Sequence, residues 1–406
     1  MRSGRARVNM IVAVGAVALA FAGAMAVFAA CGNGDDRVSN TTFTSPRDTK
    51  AAQPTTPPPT VSRLPDERLP ARPWRTGFAN GVMPLQLDDA QLARDLDGMA
   101  ATGARWLRVD FYWPTVQEAG PQSWNWASTD RVVKGAVERG MEVLAMPAYS
   151  PKWARPPGTI DHHPPLNPDW YATFVYEAAK RYAPLGVDTW EIWNEPNVEA
   201  FWQPRPDPVA YAALLQRAYA AIKKADPDAT VISAGLATGL DEADGSTLSA
   251  RTFLSRVYDA GARDSFDAVG LHPASFPTLP LEPSDWNSFY NAPTVYQVMA
   301  DHGDADKKIW ATEFGSPTGV AQNAVTPEFQ RDILLAAYRG WLDWPFTGPL
   351  LVYSYRDIAL DPGDREANFG LVQHNGTPKV AMRAFEEVVT QLEAMCAQRS
   401  RPECRE

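Results

Sequence analysis

The chain has 406 residues, 45% of them hydrophobic and 21% charged, ordinary proportions that leave room for one domain of roughly 300 residues or two of about 150. Its formal net charge of −10 argues against a nucleic-acid partner, which demands concentrated Lys and Arg.

At the N-terminus, Arg2, Arg5 and Arg7 precede an uncharged, Ala-rich apolar run from Met10 to Ala30, which ends in Phe28-Ala29-Ala30-Cys31. That order predicts an export signal over residues 1–30. Cys31, directly after two small residues, resembles the lipidated cysteine of a bacterial lipoprotein signal, although Phe28 stands where that pattern usually has Leu. The run is also long enough to cross a bilayer, for which about 20 apolar residues suffice, so an uncleaved signal anchor is the competing reading. Either way the body of the chain is expected outside the cytoplasm, attached to the cell membrane or secreted. Residues 31–71 are rich in Thr, Ser, Asp and Pro, including Thr55-Thr56-Pro57-Pro58-Pro59-Thr60. Such a segment cannot bury a core and is expected to be a disordered tether, whose roughly 40 residues would span about 35 Å as a coil.

From 72 to 395 short apolar strands alternate with amphipathic helices. The predicted strands are Thr76–Asn80, Trp106–Asp110, Glu142–Ala148, Thr189–Trp193, Thr230–Ala234, Phe266–His272, Lys308–Thr312 and Pro349–Ser354. The predicted helices are Asp88–Thr102, Thr129–Arg139, Asp169–Tyr182, Pro208–Ala225, Ala250–Gly261, Thr294–His302, Pro327–Leu342 and Pro378–Met395. Eight of each in strict alternation predict an α/β fold, a (β/α)8 TIM barrel. A doubly wound sheet competes, but no Gly-rich phosphate turn follows the first strand. The loops after the third, sixth and eighth strands are long, as loops of an active face are. In the tail, residues 396–406, Cys396 and Cys404 are close enough to form a disulfide loop in an exported chain. No Cys or His spacing resembles a metal framework, and Asp161-His162-His163 in its Pro-rich loop reads as a solvated segment of the active face.

One stretch organises the rest: Thr189-Trp190-Glu191-Ile192-Trp193-Asn194-Glu195-Pro196-Asn197. Its first half has strand character and Pro196 cannot continue a sheet ladder, so Glu195 is expected at the carboxyl end of a strand. Glu195 is either a helix cap or a functional carboxylate, and its Trp, Asn and Pro neighbours favour function. Lys308-Ile309-Trp310-Ala311-Thr312-Glu313-Phe314-Gly315 puts Glu313 at the end of the seventh strand. The fourth and seventh strands of a closed barrel face each other across its mouth, so the two carboxylates can converge. A close carboxylate pair in a sugar-shaped cleft is the apparatus of retaining glycoside hydrolysis.

Glu195 in Asn-Glu-Pro and Glu313 in Thr-Glu-Phe-Gly resemble the acid/base and the nucleophile of glycoside hydrolase clan A, the retaining barrel enzymes, most closely family 39 and its cellulase-like relatives. Weaker similarities are Arg108 in Leu107-Arg108-Val109-Asp110, the segment Ser150-Pro151-Lys152-Trp153-Ala154, His272 in Gly270-Leu271-His272-Pro273, and Asn368-Phe369-Gly370-Leu371-Val372. The likeness runs from Trp74 to Leu392. It implies that Asn194 binds the sugar 2-hydroxyl, that Arg108 keeps Glu313 ionised, and that Glu195 carries the proton. A structural ion pair of Arg108 with Asp110 or another barrel carboxylate is the alternative. His272 and Trp153 join the expected substrate-binding set. Relatives often place a Tyr soon after the sixth-strand His, which is missing here, and Tyr290 is the candidate substitute. They also have a Trp on the eighth strand, where this chain has Tyr353 and Tyr355. Alternation would send both to one face, with Tyr355 offered as a sugar platform and core packing as the other reading. Trp153, Trp202 and Trp286 either stack on sugars or pack loops.

The expected protein is thus an exported retaining glycoside hydrolase acting on a polysaccharide or oligosaccharide, without a cofactor. A non-catalytic glycan-binding lipoprotein and a transglycosylase on the same site are the alternatives. A two-lobed solute-binding protein would lack the single run of eight strand–helix units.

Overall fold

The computed structural model describes residues 75–398. The export signal, Cys31, the tether and Cys404 lie outside the described residues. Cys396 falls in the last helix with no described side chain, so the expected disulfide lies outside them too.

The strands are β1 (Thr76–Ala79), β2 (Trp106–Tyr112), β3 (Glu142–Ala148), β4 (Thr189–Glu191), β5 (Thr230–Ile232), β6 (Ala268–Leu271), β7 (Lys308–Phe314) and β8 (Thr347–Tyr353). All pair in parallel with their sequence neighbours, and β8 closes on β1 with Thr76 opposite Leu350. The helices are α1 (Met83–Gln86), α2 (Asp89–Ala101), α3 (Trp113–Val116), α4 (Ala127–Glu138), α5 (Pro168–Tyr182), α6 (Pro208–Ala225), α7 (Ala250–Asp259), α8 (Ala292–Asp301), α9 (Pro327–Asp343) and α10 (Val380–Gln398). This is the (β/α)8 barrel that the alternation predicts, with α1 and α3 as single turns in the first two βα loops.

Local chemistry explains where the helices begin. Asn167-Pro168, Asp207-Pro208 and Thr326-Pro327 each put a capping side chain before a proline that needs no amide partner in the first turn. Asp207 Oδ1 accepts from the amides of Val209 and Ala210 at 3.0 and 2.9 Å. Leu92, Leu96 and Met99 form one buried stripe of α2 against the barrel. Inside the ring Ala79, Trp106, Leu144, Ile232, Ala268, Trp310 and Leu351 pack as a plug, with Trp106 and Trp310 edge to face at 5.3 Å. The interior is therefore solid, and polar chemistry is confined to the layer above it.

One boundary differs in a way that shapes the site. β4 stops at Glu191, two residues before the predicted end at Trp193 and well before Pro196. Trp193 has φ 71° and Glu195 φ 46°, left-handed conformations that cannot extend a strand. The turn thus precedes the proline, and Glu195 is held by a bond from its amide to the Gly235 carbonyl at 3.1 Å. No described helix is long and apolar enough to cross a membrane.

Candidate active site

Arg108 lies in the middle of the carboxyl-end layer. Its side chain is wholly buried, and it donates from Nε to Glu191, from Nη1 to Glu313 Oε1 at 2.5 Å and from Nη2 to Asn194 Oδ1 at 2.9 Å. One rigid guanidinium therefore ties β2 to β4 and β7, a task its planar fork suits. Burial works against its charge, but Glu191, Glu313 and Asp110 outweigh that and hold its pKa above the ordinary range. Among the described residues, the ion pairs of Arg108 run to Glu191 and Glu313 and Asp110 makes none.

Glu191 is the part of this layer that sequence reasoning missed. It is 0% exposed; besides Arg108 it takes the Thr312 hydroxyl at 2.6 Å and the Gly235 amide at 2.7 Å on Oε1. With Arg108 engaging the Asn194 oxygen, that side chain keeps its amide hydrogens to offer a ligand.

Glu195 and Glu313 meet at His272, just past the end of β6. Nδ1 of His272 is 2.7 Å from Glu195 Oε1 and 3.7 Å from Glu313 Oε2. The two carboxylate oxygens cannot be further apart than those two distances end to end. That limit admits the roughly 5–5.5 Å spacing of retaining pairs. Both carboxylates keep some solvent contact, with side chains 14% and 21% exposed, as a ligand-accessible pair must. Burial pulls the His272 pKa down, yet Glu313 and the bond to Glu195 prevail and raise it. His272 Nε2 is turned to the backbone of Gly235.

Further groups surround the pair. Asp110, two residues after Arg108 on β2, is 6% exposed, and burial pushes its carboxyl up to about 7, with Arg108 opposing. Burial raises the phenols of Tyr149 and Tyr353, and both feel Glu195 and Glu313. Glu366, in the turn Glu366–Asn368 of the β8–α10 loop, is raised by burial first, against Arg365, with Glu195 and Glu313 adding to the rise. Asp110 and Glu366 had only one sequence signal, an acidic residue near a strand end or in a βα loop, which many surface residues share.

Three expected substrate contacts are placed elsewhere or engaged otherwise. Tyr355 leaves the mouth: its ring packs edge to face on Phe78 at 5.4 Å and its hydroxyl lies against Gly98 of α2. The reason is that β8 ends at Tyr353, so alternation no longer governs Tyr355, while Tyr353 stays within electrostatic reach of Glu313 and Glu195. Trp153 is half-buried, packed on Trp113 and Trp170, with its indole N–H donated to the Gln117 carbonyl at 2.8 Å. Tyr290 is 41% exposed in the β6–α8 loop, and among the described residues its hydroxyl bonds neither glutamate. Trp202 is buried against Trp193 and Tyr211. Tyr112 donates its hydroxyl to Asp161, and His162 stacks on Phe201 and packs tilted against Tyr149. The Asp161-His162 pair thus holds the β3 loop over the aromatic wall. No group of His, Cys, Asp and Glu able to hold a metal occurs among the described residues.

Residues 80–255 match the model of the cellulase family, glycosyl hydrolase family 5. The matched stretch contains Arg108, Asn194 and Glu195 and ends before Glu313. No curated protein matches the chain. Among solved structures, it is similar to a family 39 glycoside hydrolase from Bacteroides cellulosilyticus, with TM-score 0.65, 24% identity, and coverage of 80% of this chain and 64% of that one. A monomeric β-xylosidase from Caulobacter crescentus matches with TM-score 0.58, 20% identity, and coverage of 77% and 67%. A family 5, subfamily 18 glycoside hydrolase from Streptomyces cattleya, solved with GlcNAc, matches with TM-score 0.61, 18% identity, and coverage of 79% and 81%. The chain spans less than two thirds of the length of the family 39 enzyme. At these identities the likeness establishes the shared barrel.

Proposed function

We propose that this barrel is a retaining glycoside hydrolase acting on an extracytoplasmic polysaccharide or oligosaccharide, tethered at the membrane through Cys31. The observation that carries the reading is the meeting of Glu195 and Glu313 on the His272 Nδ1, with Arg108 bonded to the other oxygen of Glu313. The match of residues 80–255, which include Glu195, to the cellulase family and the shared barrel support it.

In the first step Glu313 attacks the anomeric carbon while Glu195 gives its proton to the departing glycosidic oxygen. The C–O bond to the leaving group breaks and an ester bond to Glu313 forms. In the second step Glu195 takes a proton from water, the water oxygen attacks the same carbon, and Glu313 leaves as carboxylate. Arg108 stabilises Glu313 as the anion that attacks in the first step and departs in the second. Asn194, oriented by Arg108, offers amide hydrogens to the oxygen of the sugar 2-hydroxyl beside the reacting carbon. Water in the second step yields hydrolysis, and a sugar hydroxyl in its place yields transglycosylation.

Glu313→Ala tests the chemistry: turnover is expected to vanish, and azide to restore it as a glycosyl azide of inverted configuration. Glu195→Ala is expected to spare aryl glycosides whose leaving groups need no proton. Undiminished hydrolysis by Glu313→Ala would overturn the reading. The tether is tested by Cys31→Ser, expected to move the protein from the membrane fraction to the medium; retention in the membrane would favour an uncleaved anchor.

A further inference from the structure

Two acidic side chains near the catalytic pair have no task in the double displacement. Asp110 follows Arg108 by two positions on β2, so both project to the inner face of the barrel. It is 94% buried, and its Oδ1 has no partner among the described residues. On the β1 side, a Cβ added at Gly81 would lie 4.0 Å from both carboxyl oxygens. An unpaired buried oxygen weakens a fold unless something else gains from it. Here it stands in the electrostatic reach of Arg108, Glu313 and Glu191, the groups that hold the reacting sugar's site together. Burial pushes the Asp110 carboxyl up to about 7, so near neutral pH it both donates and accepts, as a sugar hydroxyl does. Glu366 approaches from the β8–α10 loop and feels Glu195 and Glu313.

The positive groups are already engaged. Arg108 holds Glu191, Glu313 and Asn194; His272 holds Glu195. Arg365 bonds Glu366 through Nε at 2.9 Å, and Arg155 turns into its own loop onto the carbonyls of Ser150 and Thr159. A sugar carboxylate entering here would meet the carboxylate of Glu313 and the acidic groups of Asp110 and Glu366 with no cation left over from these pairs, and like charges in a partly buried site repel. A neutral sugar would instead supply the partner that Asp110 Oδ1 lacks.

We infer that Asp110 binds hydroxyls of the sugar whose glycosidic bond is cleaved and, with Glu366, restricts that sugar to a neutral one, excluding uronic acids. This inference rests on the glycosidase reading and specifies its substrate class. It is tested by calorimetric titration of the full chain with phenyl 1-thio-β-glycosides in matched pairs, glucose with glucuronic acid and galactose with galacturonic acid, plus xylose. At least one neutral member is expected to bind, with any uronate counterpart at least tenfold weaker. Asp110→Ala is expected to weaken the neutral ligand tenfold or more. Asp110→Asn, which keeps a donor and an acceptor without the charge, is expected to retain most of that affinity and narrow the gap to the uronate. It also serves where the alanine variant fails to fold. Equal binding of a uronate, unchanged neutral affinity in Asp110→Ala, or no binding by any of these glycosides would overturn the inference. Azide rescue of Glu313→Ala on a polysaccharide digest reports separately on the glycosidase reading, so the two can fail independently.

Discussion

Glu191 on β4 and Arg108 on β2 form an ion pair in which both side chains are 0% exposed. The pair fixes the plane of the guanidinium, and that plane aims Nη1 at Glu313 and Nη2 at Asn194. Glu191→Gln keeps a shape able to serve Thr312 and Gly235 but leaves Arg108 with one carboxylate fewer. Breaking a buried pair costs roughly 3–5 kcal/mol, so the denaturation midpoint is expected to fall clearly. kcat is expected to drop about a hundredfold, the scale of losing one preorganised electrostatic contact. Midpoint and kcat measured on one preparation check this; a variant as stable and active as the parent would remove Glu191 from the machinery.

His272 gives a second expectation, because its Nδ1 is bonded at 2.7 Å to the carboxylate assigned the proton transfers. His272→Ala should lower kcat/KM about a hundredfold on glycosides with poor leaving groups, the scale of general acid catalysis. On dinitrophenyl glycosides, which leave without a proton, the loss in the first step should be much smaller. His272→Asn, whose amide can still donate to Glu195, should recover part of the activity. A plot of log kcat/KM against leaving-group pKa decides the matter: parallel lines for parent and His272→Ala would mean that His272 does not act through Glu195.

Much of this site is legible in the sequence, and the illegible part has a definite cause. Glu195 and Glu313 are legible because one follows β4 closely and the other sits at the end of β7, and the strand ends of a parallel barrel gather on one face. Arg108 is visible for the same reason, as a charge inside an apolar strand. Glu191 is hidden because it sits between Trp190 and Ile192, and only the register with β5, Glu191 opposite Ile232, shows which face turns inward. Left-handed Trp193 then breaks the alternation that would have marked the pattern. Tyr353 and Tyr355 fail as a pair for a related reason, since the period of two holds only while the strand lasts and β8 ends at Tyr353.

Gly235 follows β5 and has no room for a side chain. A Cβ there would stand 2.1 Å from His272 Nε2 and 2.6 Å from Thr312 Oγ1, inside contact distance of both. Its amide also serves Glu191 and its carbonyl serves Glu195. Gly235→Ala must therefore displace His272, Thr312 or the β5 end, and each of these supports a glutamate. kcat is expected to fall at least tenfold, with a stability loss of about 1–3 kcal/mol from overpacking. Steady-state kinetics beside a thermal melt would show it, and full activity would mean that the layer yields more easily than its packing indicates.

The same layer sets how stability depends on pH. Asp110 is raised from 3.8 to about 7 by burial, so between those values the folded chain holds a proton that the unfolded chain has released. Stability from this group is complete below about pH 4 and is lost as pH rises through about 7. His272 is raised above 6.5 by its two glutamates against burial, and its contribution likewise fades as pH climbs past its folded value. Asp130, Asp241 and Asp304 are lowered by hydrogen bonds against burial, and their contribution is lost only as pH falls below their ordinary 3.8. The melting temperature is therefore expected to peak at about pH 4 and to decline toward about pH 8. Asp110 accounts for a decline on the order of a few kcal/mol. Calorimetric scans of the parent and Asp110→Asn across that range separate the causes: the variant should lose less on going from pH 5 to 8, and identical slopes would show that Asp110 ionises freely in the folded protein.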